Sequence, residues 1–319
     1  MARERSGRLP HALLLHGPAG TGKARFARLL AHALLCERRL PDGQPCGTCA
    51  PCMLCRAGTH PDQTEIRLEG DSKVIKVDQI RALKEFMGLT GRRFKVALID
   101  PADRMNLAAA NSLLKTLEEP PAGSALMLIA SRPSALPATV RSRCQGIAFP
   151  GWTSGPALSW LAQQAPGVDA QLLLRLCGGA PLLAADWAAR GVLAQQKLLL
   201  RDFVGIAAGK ADPVETAARW LKLGVREPLQ WMMSWVADMI RSKATGRPQP
   251  SVDPVLDASL GALVPRLDQK RLYRFLDEIS EAFRAVDTPT NVNEQMLLES
   301  TLISWYQIGF HIGSHLGDR

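Results

Sequence analysis

The sequence predicts an α/β domain over roughly residues 1–150 and an all-helical region over the rest of the 319-residue chain. In the first part, short apolar runs that suit buried strands alternate with amphipathic stretches, an order typical of a parallel sheet covered by helices. After Pro150-Gly151 the strand-like runs stop, and Leu, Ala and Trp recur at helical spacing. With 46% apolar and 22% charged residues, the chain is long enough for two or three domains with cores of their own.

Four apolar runs are predicted as strands because each is short and is followed within three residues by Gly or Pro. They are residues 12–15, 94–100, 125–130 and 146–149. Helices are expected between them, at residues 25–35, from an N-cap at Asp78 onward, and at residues 107–119, where two prolines follow. In the helical region, residues 245–251 are rich in Gly and Pro and are predicted to form a loop.

The net charge of +9 comes entirely from the first half of the chain. Residues 1–150 contain 22 Lys and Arg against 13 Asp and Glu, whereas residues 151–319 contain 17 of each. All seven Trp and both Tyr lie in the second half, so the basic half has few rings that could stack on unpaired bases. We therefore expect the basic half to contact phosphate rather than bases.

The sequence predicts neither a signal peptide nor a membrane segment. Residues 1–10 lack an apolar core, and no stretch approaches the roughly 18 uninterrupted apolar residues of a membrane span. A cytoplasmic protein without a membrane partner is expected.

A glycine-rich sequence follows the first predicted strand and leads into the first helix. Gly17, Gly20, Gly22 and Lys23 fit the phosphate-binding pattern G-x-x-x-x-G-K-[ST], except that Ala24 replaces the hydroxyl residue that binds Mg²⁺. In such a loop, backbone N–H groups and the helix N-terminus hold phosphate while the Lys adds positive charge. The alternative is a glycine turn that only reverses the chain, but the order strand, loop, helix favours a phosphate loop.

Hydrolysis of a bound nucleotide needs a second set of groups at the end of a neighbouring strand. Asp100 ends such a strand and could organise Mg²⁺, but Pro101 occupies the position where a Glu would orient the attacking water. The loss of metal positioning and of water positioning each costs orders of magnitude in rate. The sequence therefore predicts that the chain does not hydrolyse ATP with Mg²⁺, even if the loop still holds phosphate.

Five of the seven cysteines cluster after the first helix: Cys36, Cys46, Cys49, Cys52 and Cys55. Four neighbouring thiolates suit tetrahedral Zn²⁺, which would order a polar segment at residues 36–55 and leave one Cys to spare. Free thiols, a redox pair and an iron–sulfur cluster are the alternatives. The last spacing of two residues, with no Pro after it, argues against the iron–sulfur cluster.

The sequence resembles a known family over roughly residues 11–150. The resemblance lies in residues 13–17, in the cysteine run that leads into residues 57–62, in the block at residues 109–121, and in Arg141-Ser-Arg-Cys144. Together these segments are similar to bacterial clamp-loader subunits of the AAA+ family and, within it, to the delta prime type of DNA polymerase III. The block at residues 109–121 is the specific part, because a phosphate loop alone occurs in many families.

The resemblance implies an organisation and a set of partners. It predicts a RecA-like AAA+ domain at residues 1–151 with a zinc-binding insertion at 36–55, a small helical lid domain at 152–193 and a helical collar domain at 194–319. The collar would join the chain to gamma/tau-type motor subunits and a delta-type subunit. The assembled complex, part of a DNA polymerase holoenzyme with nucleotidyltransferase activity, would load a sliding clamp on primer-template DNA during DNA replication.

The resemblance also implies roles for individual residues. The zinc ligands of the delta prime type begin with the Cys that ends the first helix, which selects Cys36, Cys46, Cys49 and Cys52, with Cys55 as the alternative. The Ser-Arg-Cys motif places an arginine finger against the ATP of a neighbouring subunit, and here that residue is Arg143. The other interpretation of Arg143 is an ordinary surface side chain.

Departures from the sequence pattern of the ATP-hydrolysing members indicate a subunit that does not hydrolyse ATP. Ala24 and Pro101 are two of them, and Gly178-Gly179-Ala180-Pro181 stands where the motor subunits carry Gly-Ser-x-Arg. We therefore expect a rigid, non-hydrolysing stator that offers Arg143 to its neighbour. One alternative is a motor-type ATPase that uses Lys23 and Asp100. Another is a zinc-dependent DNA-binding module that grips phosphate with Arg38, Arg39, Arg56 and Arg67.

Overall fold

The computed structural model describes residues 10–70, 72–89, 91, 94–152, 155–247, 254–287 and 292–314. The chain divides into two compact units. The first takes in residues up to Gln164 together with Cys177–Ala185, and the second takes in Ala165–Leu176 together with the chain from Asp186 onward. The three domains with boundaries after residues 151 and 193 stay a prediction.

Among the described residues, the first unit contains a five-stranded parallel sheet. The strands are β1 (Ala12–His16), β2 (Gln63–Ile66), β3 (Lys95–Ile99), β4 (Ser124–Ala130) and β5 (Gln145–Ala148), in the spatial order β2-β3-β4-β1-β5. In the register of the sheet, Leu14 of β1 lies opposite Leu128 of β4 and Gly146 of β5. β3 and β4 are buried along their whole length, as continuous apolar strands inside a parallel sheet should be.

β2 is a strand that the sequence pattern does not predict. Its four residues, Gln63-Thr-Glu-Ile66, are only half-buried and pair with β3 at the edge of the sheet. An edge strand of this composition lacks the apolar run by which the other four strands are recognised. The four strands expected from those runs are all present, and each end agrees with its prediction to within one residue.

Helices of the first unit cover both faces of the sheet. They are α1 (Lys23–Leu35), α2 (Ala50–Ala57), α3 (Val77–Gly88), α4 (Leu107–Glu118), α5 (Ala138–Arg141) and α6 (Pro156–Gln164). One core cluster joins Leu14, Ile99 and Leu128 to the buried sides of α3 and α4. The other joins Leu15 and Leu98 to α1.

The start of α3 differs from its prediction. The helix begins at Val77 with Lys76 as its N-cap, so the assignment of Asp78 as N-cap is wrong. Asp78 instead lies in the first turn, where its carboxylate accepts a 2.9 Å hydrogen bond from Arg81. The side chain of Gln79 accepts the backbone N–H of Lys76, which satisfies a donor that the helix cannot satisfy itself.

The rest of the described chain is helical. α7 (Ala170–Leu176) belongs to the second unit, α8 (Pro181–Ala189) begins in the first unit and ends in the second, and the later helices belong to the second. These are α9 (Val192–Ala207), α10 (Pro213–Leu221), α11 (Arg226–Thr245), α12 (Pro254–Leu263), α13 (Gln269–Asp287) and α14 (Glu294–Ser314). No strand occurs after β5 in the residues that the structure describes, as the sequence pattern predicts. Gly246 ends α11, and residues 248–251 of the predicted loop lie outside the described residues.

Aromatic rings fill the core of the second unit. The rings of Phe203 and Trp305 stack with their centroids 4.2 Å apart, and the indole N–H of Trp305 donates a 2.7 Å hydrogen bond to the carbonyl oxygen of Phe203. Trp220 and Trp231 are also almost completely buried. Across the part of the chain that is described, no single helix combines the length and apolar composition of a membrane span.

Candidate functional site

The glycine-rich loop lies between β1 and α1 and is closely packed. A side chain at Gly17 would place its Cβ 2.0 Å from the carbonyl oxygen of Phe149, and one at Gly20 would place it 2.6 Å from the Cβ of Leu183. Both glycines also have positive φ angles, of 144° and 79°. The backbone N–H of Leu182, in the first turn of α8, donates a 3.0 Å hydrogen bond to the carbonyl oxygen of Gly20. The loop therefore has room only for glycine at these two positions.

Lys23, the first residue of α1, turns its charged end back into the loop. Its Nζ donates 2.7 Å hydrogen bonds to the carbonyl oxygens of Gly17 and Pro18, and the residue is only 4% exposed. Burial lowers the pKa of Lys23 below its usual range, and the charges of Asp103 and Asp100 offset only part of this. A phosphate group entering the loop would have to replace these carbonyl contacts.

Asp100 follows β3 at the same end of the sheet, and its carboxylate already has a cationic partner. Nη2 of Arg28 lies 3.2 Å from Oδ2 of Asp100 and 2.7 Å from Oε1 of Glu65 on β2. Burial raises the pKa of Asp100 above its ordinary value, and the charge of Arg28 offsets only part of that rise.

Sequence reasoning missed Arg28 and Glu65. Arg28 stands four residues after Ala24 on α1, so the two lie on the same helix face, which is a signal that could have placed Arg28 near this end of the sheet. For Glu65 no comparable signal exists, because β2 itself is not predicted.

The second carboxylate of this segment has a structural role. Asp103 is almost fully buried, and its two oxygens accept the backbone N–H groups of Ser131 and Arg132 at 3.3 and 3.0 Å. It fixes the turn that follows β4. Asp100 is paired with Arg28, Asp103 is bonded to backbone N–H groups, and Pro101 has no acidic side chain. The segment Asp100-Pro-Ala-Asp103 therefore offers no free carboxylate as a base for water.

A cavity of about 320 Å³ opens beside the loop, within the first unit. Its walls come from the end of the loop, from α1 and α6, and from the start of α8, and they are mostly apolar. The lining residues are Thr21, Gly22, Arg25, Trp152, Pro156, Ala157, Trp160, Pro181 and Leu182. Aromatic and proline walls of this kind suit a flat apolar group.

The cysteine cluster contains four thiols in a geometry that fits a metal ion. The sulfur atoms of Cys36, Cys46, Cys49 and Cys52 all lie within 4.8 Å of one another. The Cys36–Cys49 and Cys46–Cys52 sulfur distances are 3.8 and 4.0 Å. Zn–S bonds of about 2.3 Å in a tetrahedron require sulfur atoms about 3.8 Å apart, so the residues fit Zn²⁺.

Local structure brings these thiols together. Cys36 is the C-cap of α1, Cys49 is the N-cap of α2, and Cys52 lies in the first turn of α2. A metal ion bound there would tie the end of α1 to the start of α2. Cys46 precedes Gly47, whose φ of 75° makes the sharp turn between the two thiols of a C-x-x-C pair.

Hydrogen bonds favour the anionic form of the Cys46 thiol, whereas burial disfavours that of Cys52. The backbone N–H groups of Thr48 and Cys49, with the Thr48 hydroxyl, lower the pKa of Cys46 to about 6. Burial raises the pKa of Cys52 to about 12. A positive ion is what would make all four thiolates stable at neutral pH. Arg56 braces the turn from outside, with a 3.1 Å hydrogen bond to the carbonyl oxygen of Gly47.

Cys55 lies apart from this group. It is buried in the core cluster with Leu34 and Leu98, and burial raises the pKa of its thiol to about 11. The structure thus gathers the four cysteines that the family resemblance selects and leaves the fifth as an apolar packing residue.

Arg143 lies in the short turn between α5 and β5, where its guanidinium is fixed at two points. Nη2 lies 2.6 Å from Oε1 of Glu118, and Nη1 donates a 3.0 Å hydrogen bond to the carbonyl oxygen of Thr139. Because β5 runs parallel to β1, the residues before β5 lie at the opposite end of the sheet from the loop after β1. Four- and five-residue strands are about 13 to 17 Å long, so Arg143 is remote from the glycine-rich loop of its own chain.

The basic side chains near the insertion are partly engaged within the chain. Arg56 contacts Gly47, and Nη2 of Arg67 lies 2.8 Å from Oε2 of Glu65. Two of the four arginines proposed for a DNA-binding module are therefore occupied in structural contacts.

Comparisons with known proteins agree over most of the chain. A family described as "DNA polymerase III, delta subunit" matches residues 2–153, and one described as "DNA polymerase III, delta subunit, C terminal" matches residues 191–307. The DNA polymerase III subunit delta prime of Pseudomonas aeruginosa is 34% identical over 92% of this chain and 91% of its own. That of Escherichia coli is 29% identical over 95% of this chain and 91% of its own.

A solved structure supports the same fold. A DNA polymerase III gamma subunit-related protein from Thermotoga maritima matches 97% of this chain and 98% of its own, with a TM-score of 0.50 and 16% identity. The fold class expected from the sequence, a RecA-like AAA+ fold with a parallel sheet followed by a helical region, is confirmed. With the delta prime relatives similar over nearly the whole chain, the chain belongs to the family of DNA polymerase III delta prime subunits.

Proposed function

We propose that this chain is a non-hydrolysing stator of a clamp loader and supplies Arg143 to the ATP site of a neighbouring subunit. The observation that carries the proposal is a division within the first unit. The chain's own phosphate loop has lost its hydrolytic groups, whereas Arg143 is held at the opposite end of the sheet, where it can serve only another chain.

The absence of ATP hydrolysis at the chain's own site follows from the side chains present there and from their contacts. Ala24 offers no oxygen to Mg²⁺, and Pro101 offers no base to water. Asp100 is paired with Arg28, and Lys23 is bound to loop carbonyls. Hydrolysis needs the metal and the oriented water together, and this site lacks the side chains that would position either.

The role of Arg143 rests on charge. Phosphoryl transfer develops negative charge on the transferring group, and an arginine supplied from a neighbouring chain can raise the rate by about 10³ to 10⁵. Arg143 is 37% exposed, so its guanidinium is open to a partner. Its two contacts within the chain use only part of its five N–H donors.

The wider proposal follows the family. Residues 1–151, 152–193 and 194–319 serve as AAA+, lid and collar domains, and the collar assembles with gamma/tau-type and delta-type subunits. The complex then loads a sliding clamp on primer-template DNA in the cytoplasm. Zn²⁺, when bound by the four cysteines, would stabilise the fold of the insertion and take no part in the reaction.

ATP turnover by the purified chain is the first test. We expect none above the level of a Lys23→Ala variant, with or without primed DNA. ATP hydrolysis that Lys23→Ala abolishes would establish the motor-type alternative instead. A metal analysis of the same sample would report the zinc content.

The second test uses the reconstituted complex. Arg143→Ala and Arg143→Lys should lower its ATP turnover while gel filtration still shows all subunits together, because Lys lacks the planar fork of donors. Arg141→Ala is the matched control, since Arg141 belongs to the same motif and is exposed. Normal turnover by both Arg143 variants would refute the finger.

A further inference from the structure

The carboxylate that holds Arg143 belongs to Glu118, the last residue of α4. The 2.6 Å contact between the two side chains joins the end of α4 to the turn before β5. A second contact, from Arg143 to the carbonyl oxygen of Thr139, joins the same guanidinium to α5. The guanidinium of Arg143 is thereby bonded to residues of both α4 and α5.

The position of Glu118 is fixed by the chain around it. α4 ends here because Pro120 and Pro121 cannot continue a helix, and Glu119 leaves helical geometry with φ −122° and ψ 71°. At its other end the helix is held by Asn106, whose side chain accepts the backbone N–H of Ala109 at 2.8 Å. The carboxylate of Glu118 therefore projects from a helix with both ends defined.

An acidic residue at this place works against the helix. The C-terminal end of a helix carries partial negative charge, so carboxylates there are disfavoured and cations are preferred. Glu118 is half-exposed, and the helix dipole gives no reason for a carboxylate at this position. The guanidinium of Arg143 supplies the compensating cation. The position of Glu118 is therefore explained by its contact with the arginine.

We propose that Glu118 is the positioning residue of Arg143. It restricts the rotamers of a long side chain that would otherwise lose this freedom on meeting a neighbour's phosphates. This inference rests on the proposed role of Arg143 as a finger. Glu118 itself touches no nucleotide and acts only through the arginine.

The size of the effect follows from the exposure of the pair. Ion pairs with both partners partly exposed contribute little, so the loss of Glu118 should slow the complex far less than the loss of Arg143. We expect a 2- to 5-fold fall in kcat for ATP, which corresponds to about 0.4 to 1 kcal/mol at 1.36 kcal/mol per tenfold. KM for ATP should stay unchanged, because the geometry of the finger matters in the transition state.

The experiment is a double-mutant cycle in the reconstituted complex. Glu118→Ala should show the fall in kcat, and Glu118→Gln should restore most of it by keeping an acceptor oxygen for Arg143. The double variant Glu118→Ala/Arg143→Ala should be no slower than Arg143→Ala alone. Glu119→Ala is the matched control, since it removes the same charge one residue further on and should leave kcat unchanged.

Each other outcome has a distinct meaning. If Arg143→Ala is slow and Glu118→Ala has the wild-type kcat, the positioning role is refuted and the finger stands. If Glu118→Ala is faster than the wild type, or slows the complex further in the Arg143→Ala background, the positioning role is likewise refuted. If Arg143→Ala has the wild-type kcat, the proposed function fails first. Glu118→Asp keeps the charge but withdraws the carboxylate by one methylene, so it should behave like Glu118→Ala with the fold intact.

Discussion

Nζ of Lys95 lies 3.3 Å from Oδ1 of Asp62, and both side chains are more than nine-tenths buried. Asp62 directly precedes β2, and Lys95 begins β3, so the ion pair fastens the edge strand to the sheet. The same ammonium group lies 4.3 Å from the centre of the Phe86 ring on α3. One cation thus links three elements on one side of the sheet.

Loss of this cation should destabilise the first unit strongly. In Lys95→Met the buried carboxylate of Asp62 loses its ion pair, and we expect the free energy of unfolding to fall by about 3 to 5 kcal/mol. Urea denaturation followed by circular dichroism measures it. Lys115→Met, at an exposed position of α4, is the control and should change stability by less than about 0.5 kcal/mol. Equal effects of the two substitutions would contradict the role of the pair.

Replacement by alanine of two helical glycines in the second unit should change the free energy of unfolding in opposite directions. A Cβ at Gly309 of α14 would lie 2.4 Å from the carbonyl oxygen of Ala207 on α9, whereas one at Gly261 of α12 has nothing within 4 Å. Gly309→Ala should lower the free energy of unfolding by about 1 to 3 kcal/mol through overpacking. Gly261→Ala should raise it by up to about 1 kcal/mol through helix propensity. A stabilising Gly309→Ala would show that the two helices are not so close.

Metal content should separate Cys52 from Cys55. Cys52→Ala removes one of the four sulfur atoms of the cluster, so the purified chain should lose most of its zinc or release it to a weak chelator. Cys55→Ala should keep one equivalent, because its thiol packs in the core. Elemental analysis of both variants measures this. Zinc loss in Cys55→Ala with retention in Cys52→Ala would reverse the assignment.

The pH dependence of stability should include a contribution from His32. Burial, together with the charges of His60 and Arg56, lowers the pKa of His32 below 6.5 in the folded chain. Below about pH 6.5 the unfolded chain therefore binds more protons, and the stability present at higher pH is lost as the pH falls through the folded pKa. His32→Gln should show a shallower loss of unfolding free energy between pH 7 and 5. An NMR titration midpoint of His32 above 6.5 would contradict this sign.

Much of the fold could be predicted because its signals are local. The apolar runs of β1, β3, β4 and β5 are visible in sequence, and the glycines and cysteines of the two candidate sites occur in short motifs. β2 is different, since Gln63-Thr-Glu-Ile66 has no apolar pattern and owes its conformation to pairing with β3. α2 is also different, because most of its eight residues overlap the cysteine segment and its N-cap is a cysteine, Cys49.

The contacts that define the sites depend on residues far apart in the chain. Arg28 meets Asp100 across 72 positions, and although its spacing from Ala24 could place Arg28 near this end of the sheet, no local pattern predicts its pairing with Asp100. Glu118 and Arg143 belong to two different motifs of the family, and their contact requires the fold that brings α4 beside the turn before β5. Residue types at a site were therefore predictable, whereas their pairing was not.

The order of the strands has a consequence for synthesis on the ribosome. β1 is made first, yet it lies between β4 and β5, which are made more than a hundred residues later. At a translation rate of about 5 to 20 residues per second, the strands that pair with Leu13–Leu15 are synthesised on the order of ten seconds after β1. Throughout that interval an apolar strand with two unpaired edges is open to wrong partners. β1, an interior strand of the finished sheet, is thus without its neighbouring strands for most of the time that the first unit is being translated.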